Sequence, residues 1–138
     1  TASRGGGARL GDAPTACSRP PDLHAALVAT GFPFRELRRL DRYLASFDAF
    51  VRSTSGIRRA GSAALDLAFV ACGRYDGFWE IGLSRWDMAA GALLVREAGG
   101  IVTDVAGGEN FLESGDIVAA APTLHAPMLE IVRRAFGG

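Results

Sequence analysis

Apolar residues recur along this chain in two different rhythms. Over residues 35–52, Leu37, Leu40, Tyr43, Leu44, Phe47, Phe50 and Val51 follow one another at steps of three and four, which predicts an amphipathic helix. The opposite face carries Arg38, Arg39, Asp41, Arg42 and Asp48, the pattern of a solvated helix surface. Ser55-Gly56 breaks the rhythm, Ile57-Arg58-Arg59 follows, and Gly61-Ser62 opens a second helix that runs to about Cys72. Ser62 suits the N-cap because its hydroxyl accepts a bond from a free N–H of the first turn. The body, AALDLAFVAC, is apolar nearly all round, so this helix is expected to be buried on several sides, with Gly73 ending it. Short apolar runs predict strands at residues 23–29 (closed by Gly31 and Pro33), 75–81, 101–105 and 116–121. Further helices are predicted from Ser84 to the Gly99-Gly100 pair and over residues 123–135. The opening TASRGGGARLGD reads as a glycine-rich turn entered from an earlier element, and Thr1 in place of a methionine suggests a piece of a longer chain.

Helix and strand keep alternating, which predicts an α/β fold with helices covering a sheet. There is no internal repeat and no linker, so residues 1–138 form one unit. Apolar residues make up 49% of the chain, enough for a real core. Fifteen basic residues balance fifteen acidic ones, so no global field draws in nucleic acid or an anionic membrane, and partners must be recognised locally. No apolar run approaches the roughly 18–20 residues of a membrane span. Cys17 and Cys72 lack metal-ligand spacing and give no disulfide framework, which favours a reducing, cytoplasmic setting. His24 and His125 are isolated and make no metal site.

The chemistry concentrates in residues 56–104. Trp86-Asp87 is followed by the small residues Ala89-Ala90-Gly91 and then by Glu97-Ala98-Gly99-Gly100. Thr30-Gly31-Phe32-Pro33-Phe34 precedes this series, and Gly107-Gly108-Glu109-Asn110 and Ile117-Val118-Ala119 come after it. This ordered set resembles the carboxyl-terminal signature of the inositol monophosphatase family, and the likeness covers most of the chain. It implies a layered α-β-α sandwich of the sugar phosphatase type. It also implies magnesium-dependent hydrolysis of a phosphate monoester, myo-inositol monophosphate first among the substrates, by a homodimer whose carboxyl-terminal subdomain is this chain. Relatives of the same fold act on histidinol phosphate, fructose bisphosphate or 3′-phosphoadenosine 5′-phosphate. Some bacterial relatives join RNA-polymerase antitermination assemblies, for which an exposed face of Arg35, Arg38, Arg39 and Arg42 would be the feature to test.

Each candidate residue also has a plainer explanation. Ser84-x-x-Asp87 has the form of a capping box, whereas the resemblance makes Asp87 a metal ligand that also approaches the substrate; carboxylate oxygen suits Mg²⁺. Glu80 reads as a strand-end acid, whereas the resemblance makes it the acceptor of a substrate hydroxyl. Gly61, Ser62 and Ala63 start a helix and, by resemblance, line the substrate; both can hold, because a helix start presents unpaired N–H groups. Arg58 and Arg59 are expected to support the fold or a subunit contact. Arg85 stands where many relatives have proline, at the site edge. Phe78, Trp79 and Trp86 are expected to pack. The family's Gly-Glu-Glu and Asp-Pro-Ile/Leu-Asp-Gly-Thr motifs do not occur here. No catalytic residue is therefore assigned to this chain, the amino-terminal metal-binding half is expected upstream, and the isolated piece is expected to be inactive.

Overall fold

A computed structural model describes residues 1–137. Its centre is a five-stranded mixed sheet with the order β5-β4-β6-β8-β7. The strands are β4 (Leu27–Thr30), β5 (Gly56–Arg58), β6 (Gly77–Glu80), β7 (Ile101–Thr103) and β8 (Ile117–Ala120). β4 runs parallel to both β5 and β6, whereas β8 is antiparallel to β6 and to β7. The inner strands read as continuous apolar runs because both faces of the sheet are covered. Alternate residues serve opposite cores. Ala29, Phe78, Ile117 and Ala119 join one with Leu67, Val70, Met88 and Val95 from helices α2 (Ala63–Ala71) and α3 (Arg85–Glu97). Val28, Trp79, Val118 and Ala120 join the other with Tyr43 and Phe50 of helix α1 (Leu40–Ser53) and Met128 and Val132 of the closing helix (His125–Phe136). This is the expected α-β-α sandwich.

Trp79 is the largest fully buried side chain. Its ring lies 4.0 Å from that of Phe50, and its indole N–H donates to Ser46 Oγ at 3.2 Å. Burial of the polar edge is thus compensated by a bond. Tyr43 Oη and Thr30 Oγ1 are bonded at 3.0 Å on the same side, tying α1 to the end of β4.

Several expected elements differ in extent. The glycine-rich opening is not a turn alone: β1 (Ala2–Ser3), β2 (Gly7–Leu10) and β3 (Ala13–Thr15) form a three-stranded antiparallel meander. It is fastened to α3 by Glu97, whose carboxylate accepts the N–H groups of Gly5 and Gly7, each at 2.9 Å. The strand expected at 23–29 splits into a 3-10 turn, Leu23–Ala25, and β4; Asp22 caps the turn by accepting the N–H of Ala25. The first helix begins as a 3-10 turn at Leu37–Arg39 and becomes α-helical at Leu40. Leu37, Leu44 and Val51 are exposed, so its buried stripe is narrower than the apolar pattern. On its opposite face Arg38, Asp41, Arg42 and Asp48 are exposed as expected, whereas Arg39 is half-buried. Arg39 grips Asp116 with both guanidinium nitrogens, at 3.0 and 2.6 Å, while Arg42 donates to the carbonyl of Phe136. Cys17 and Cys72 are free thiols.

Candidate functional site

The carboxyl ends of the parallel strands open into a cavity of about 360 Å³. In an open α/β sheet this is where ligands bind, because the chain leaves the central strand toward both sides and the loops diverge. Here β4 leads through α1 to β5 on one side, and β5 leads through α2 to β6 on the other. Gly31, Phe32, Arg35, Arg59, Gly61, Ser62, Ala63, Asp66, Glu80 and Asp87 are among the lining residues. The sequence candidates Gly61, Ser62, Ala63, Glu80 and Asp87 therefore converge on one space.

The start of α2 is built as its sequence suggests. Gly61 has φ +94, a left-handed turn conformation that disfavours a side chain. Ser62 is the N-cap, and its Oγ accepts the N–H of Leu65 at 3.3 Å. The N–H groups of Ala63 and Ala64 lie ahead of the intrahelical ladder, and both residues border the cavity. Asp87 stands in the first turn of α3. Its Oδ2 accepts the N–H of Ser84 at 2.9 Å, the carboxylate half of a capping box. Oδ1 has no hydrogen-bond partner among the described residues. One oxygen thus fixes the side chain while the other stays available.

Glu80 ends β6 and lies against Gly31 at the end of β4, where an added Cβ would collide with its carboxylate. Burial, then the nearby charges of Asp66 and Asp87, push Glu80 up to about 7, against the opposing pull of Arg59 and Arg35. Asp66, one turn into α2, is 1% exposed, and burial raises it to about 6 against Arg59. The guanidinium of Arg59 sits over the rings of Phe32 and Phe34, at 5.1 and 5.5 Å from their centroids, and borders the cavity. Arg85 lies outside the lining and pairs with Glu113. Phe78 and Trp79 pack as expected, but Trp86 does not: it is 81% exposed at the cavity edge.

Two participants escaped the sequence reading. Asp66 lies inside the run AALDLAFVAC, and a lone acid at a position the helix buries is itself a signal. Arg59 was expected to be structural, and its aromatic partners lie some 25 residues earlier, beyond any local pattern.

Magnesium takes a shell of oxygens, and Asp87 with its free oxygen fits as one donor. Among the described residues no group of three or more His, Cys, Asp or Glu side chains is arranged to hold an ion. These residues supply a donor, not a shell.

Comparison with known proteins agrees with this architecture. The chain is 60% identical over 121 residues to the Nus factor SuhB of Pseudomonas aeruginosa, a match covering 86% of this chain and 45% of that protein. To the Nus factor SuhB of Escherichia coli it is 49% identical over 133 residues, covering 96% and 50%. The crystal structure of the extragenic suppressor protein SuhB of Bartonella henselae superposes with a TM-score of 0.89 at 43% identity, covering 99% of this chain and 51% of that one. An inositol monophosphatase from Anabaena superposes with a TM-score of 0.84 at 39% identity, covering 90% and 50%. The chain spans about half the length of the relatives it matches. The sequence profile of the inositol monophosphatase family matches residues 1–135, and the chain belongs to that family.

Proposed function

We propose that, joined to an amino-terminal half such as its relatives carry, this chain forms a phosphomonoesterase that hydrolyses myo-inositol monophosphate with magnesium. The observation that carries this reading is the convergence of Asp87, Glu80 and the start of α2 on one cavity at the carboxyl ends of the strands. Residues 1–138 act as the carboxyl-terminal subdomain of a cytoplasmic homodimer, and the residues that activate the attacking water lie outside them. Bound magnesium would polarise the phosphoryl group and offset its charge. Asp87 offers Oδ1 to the cation while Ser84 holds its other oxygen in place. Glu80 accepts a hydroxyl of the alcohol moiety, and the N–H groups of Ala63 and Ala64 face its oxygens.

Histidinol phosphate, fructose bisphosphate and 3′-phosphoadenosine 5′-phosphate are the alternative substrates. Glu80 and the Gly61 to Ala63 segment favour the inositol ester, since a carboxylate paired with backbone donors suits vicinal hydroxyls. The test is phosphate release by the full-length protein from each of the four esters, with and without magnesium. Release from inositol 1-phosphate that disappears on chelation is expected; release from none of them, with or without metal, removes the reading. In that event a non-catalytic role stands, as the names of the Nus-factor relatives suggest, and capture of transcription antitermination components by the protein is its assay.

Gly31 gives a finer test. Gly31→Ala places a methyl group where the Glu80 carboxylate lies. That carboxylate is the far end of a flexible side chain and can swing away, so the thermal midpoint should move little. Displacing one charged acceptor from the ligand should raise KM for inositol 1-phosphate about tenfold, the equivalent of one such hydrogen bond. An unchanged KM would show that Glu80 does not touch the substrate.

A further inference from the structure

Among the described residues, the two carboxylate oxygens of Asp66 are the only buried side-chain nitrogen or oxygen atoms without a hydrogen-bond partner. Native proteins rarely leave such a group unsatisfied, and a charged one least of all. The position is no accident of a loose loop: Asp66 sits in the first half of α2, with its own N–H bonded to the carbonyl of Ser62 at 2.9 Å. It borders the same cavity as Glu80 and Asp87. Neither oxygen is held by a bond, and the outer torsion of an aspartate is soft, so the group is free to turn toward a ligand that enters.

The charges around it restrict what that ligand is. Asp66, Glu80 and Asp87 would resist a second anion on this wall, while the charge of Arg59 weighs against a cation at Asp66 itself. A neutral group with several hydroxyls meets neither objection. Each hydroxyl donates one hydrogen bond, and a carboxyl oxygen accepts it whether or not the acid is ionised. We propose that Asp66 is a second polyol-reading residue, whose carboxyl group accepts a hydrogen bond from a substrate hydroxyl other than the one taken by Glu80. The inference rests on the phosphomonoesterase reading for the identity of the polyol. It adds a specificity contact deep in the cavity, so that two acids on two elements, α2 and β6, read two positions of one ring.

The experiment uses full-length protein and the near-isosteric substitution Asp66→Leu, which removes both acceptor oxygens. The affinity for free myo-inositol, measured by calorimetry, should fall about tenfold, and KM for inositol 1-phosphate should rise by the same factor. The kcat, and the turnover of p-nitrophenyl phosphate, which has no ring hydroxyls, should hold. A purely structural acid would change the thermal midpoint and leave that substrate contrast unmoved. A second measurement needs no stable variant at position 66. Monodeoxy-inositols should reveal two hydroxyls whose loss weakens binding, of which Glu80→Met, which has no carboxyl acceptor, abolishes the contribution of one only. Loss confined to the hydroxyls that Glu80→Met also silences overturns the proposal, as does unchanged myo-inositol affinity in Asp66→Leu or no myo-inositol binding at all. Should the wild type bind myo-inositol through Asp66 yet release no phosphate from any ester, the phosphatase reading fails and the polyol contact stands. Turnover without polyol discrimination does the reverse.

Discussion

Asp87→Asn in the full-length protein is expected to lower magnesium-dependent phosphate release from inositol 1-phosphate by about 10²–10³-fold, the range seen when one positioned electrostatic group is removed from an active site. The amide keeps an oxygen that can accept the N–H of Ser84, so the helix start survives and the thermal midpoint should hardly move. On the proposed reading, the substitution removes the negative charge that Oδ1 would offer to the cation. The magnesium concentration for half-maximal rate should rise in the same variant, which separates a missing ligand from a disturbed fold. Undiminished activity would return Asp87 to the role of a helix cap.

Arg39→Leu should produce the largest loss of stability, about 3 kcal/mol, the lower end of the cost of stranding one partner of a buried ion pair. The lower end applies because Arg39 keeps 29% of its side-chain exposure, whereas Asp116 keeps 6%. With the guanidinium gone, the Asp116 carboxylate retains only the N–H of Gly82, at 3.1 Å, among its side-chain partners. For a domain of this size the loss corresponds to roughly 10 °C in thermal midpoint. The Arg39→Leu, Asp116→Asn double variant should recover part of it, since no buried charge is then left unpaired. Additive losses in the double variant would show that the pair contributes nothing beyond its separate side chains. The same carboxylate holds the turn between Glu80 and Asp87, so an effect on KM should accompany the melting shift.

The legible parts of this molecule were those where one local cause decides the outcome. Ser62 caps α2, the Ser84-x-x-Asp87 arrangement starts α3, and Gly73 ends the buried helix, each through backbone groups a few residues away. The meander was not legible, because strands of two to four residues are too short to show an alternation, and they exist through Glu97, some ninety residues later in the chain. Arg39 misled for a similar reason. Its neighbours in the charge pattern, Arg38, Asp41, Arg42 and Asp48, form the solvated surface that the pattern suggests, and only the tertiary fold brings Asp116 to Arg39. At the site, Glu80 and Asp87 stood out through the motifs around them, whereas Asp66 is flanked by apolar residues and its missing partner is visible only in three dimensions.

Asp87 and Glu97 lie on one helix, α3, the first bordering the cavity and the second gripping the glycine-rich meander. Ten residues separate them, about 15 Å along the axis. The helix therefore acts as a ruler. Inserting or deleting one residue inside it would turn one carboxylate by about 100° relative to the other, so that only one of the two could still reach its target. Between the Trp-Asp and Glu-Ala-Gly-Gly motifs, then, the interval is itself a constraint, and the side chains on the outer face of α3 are free to vary as long as the count is kept.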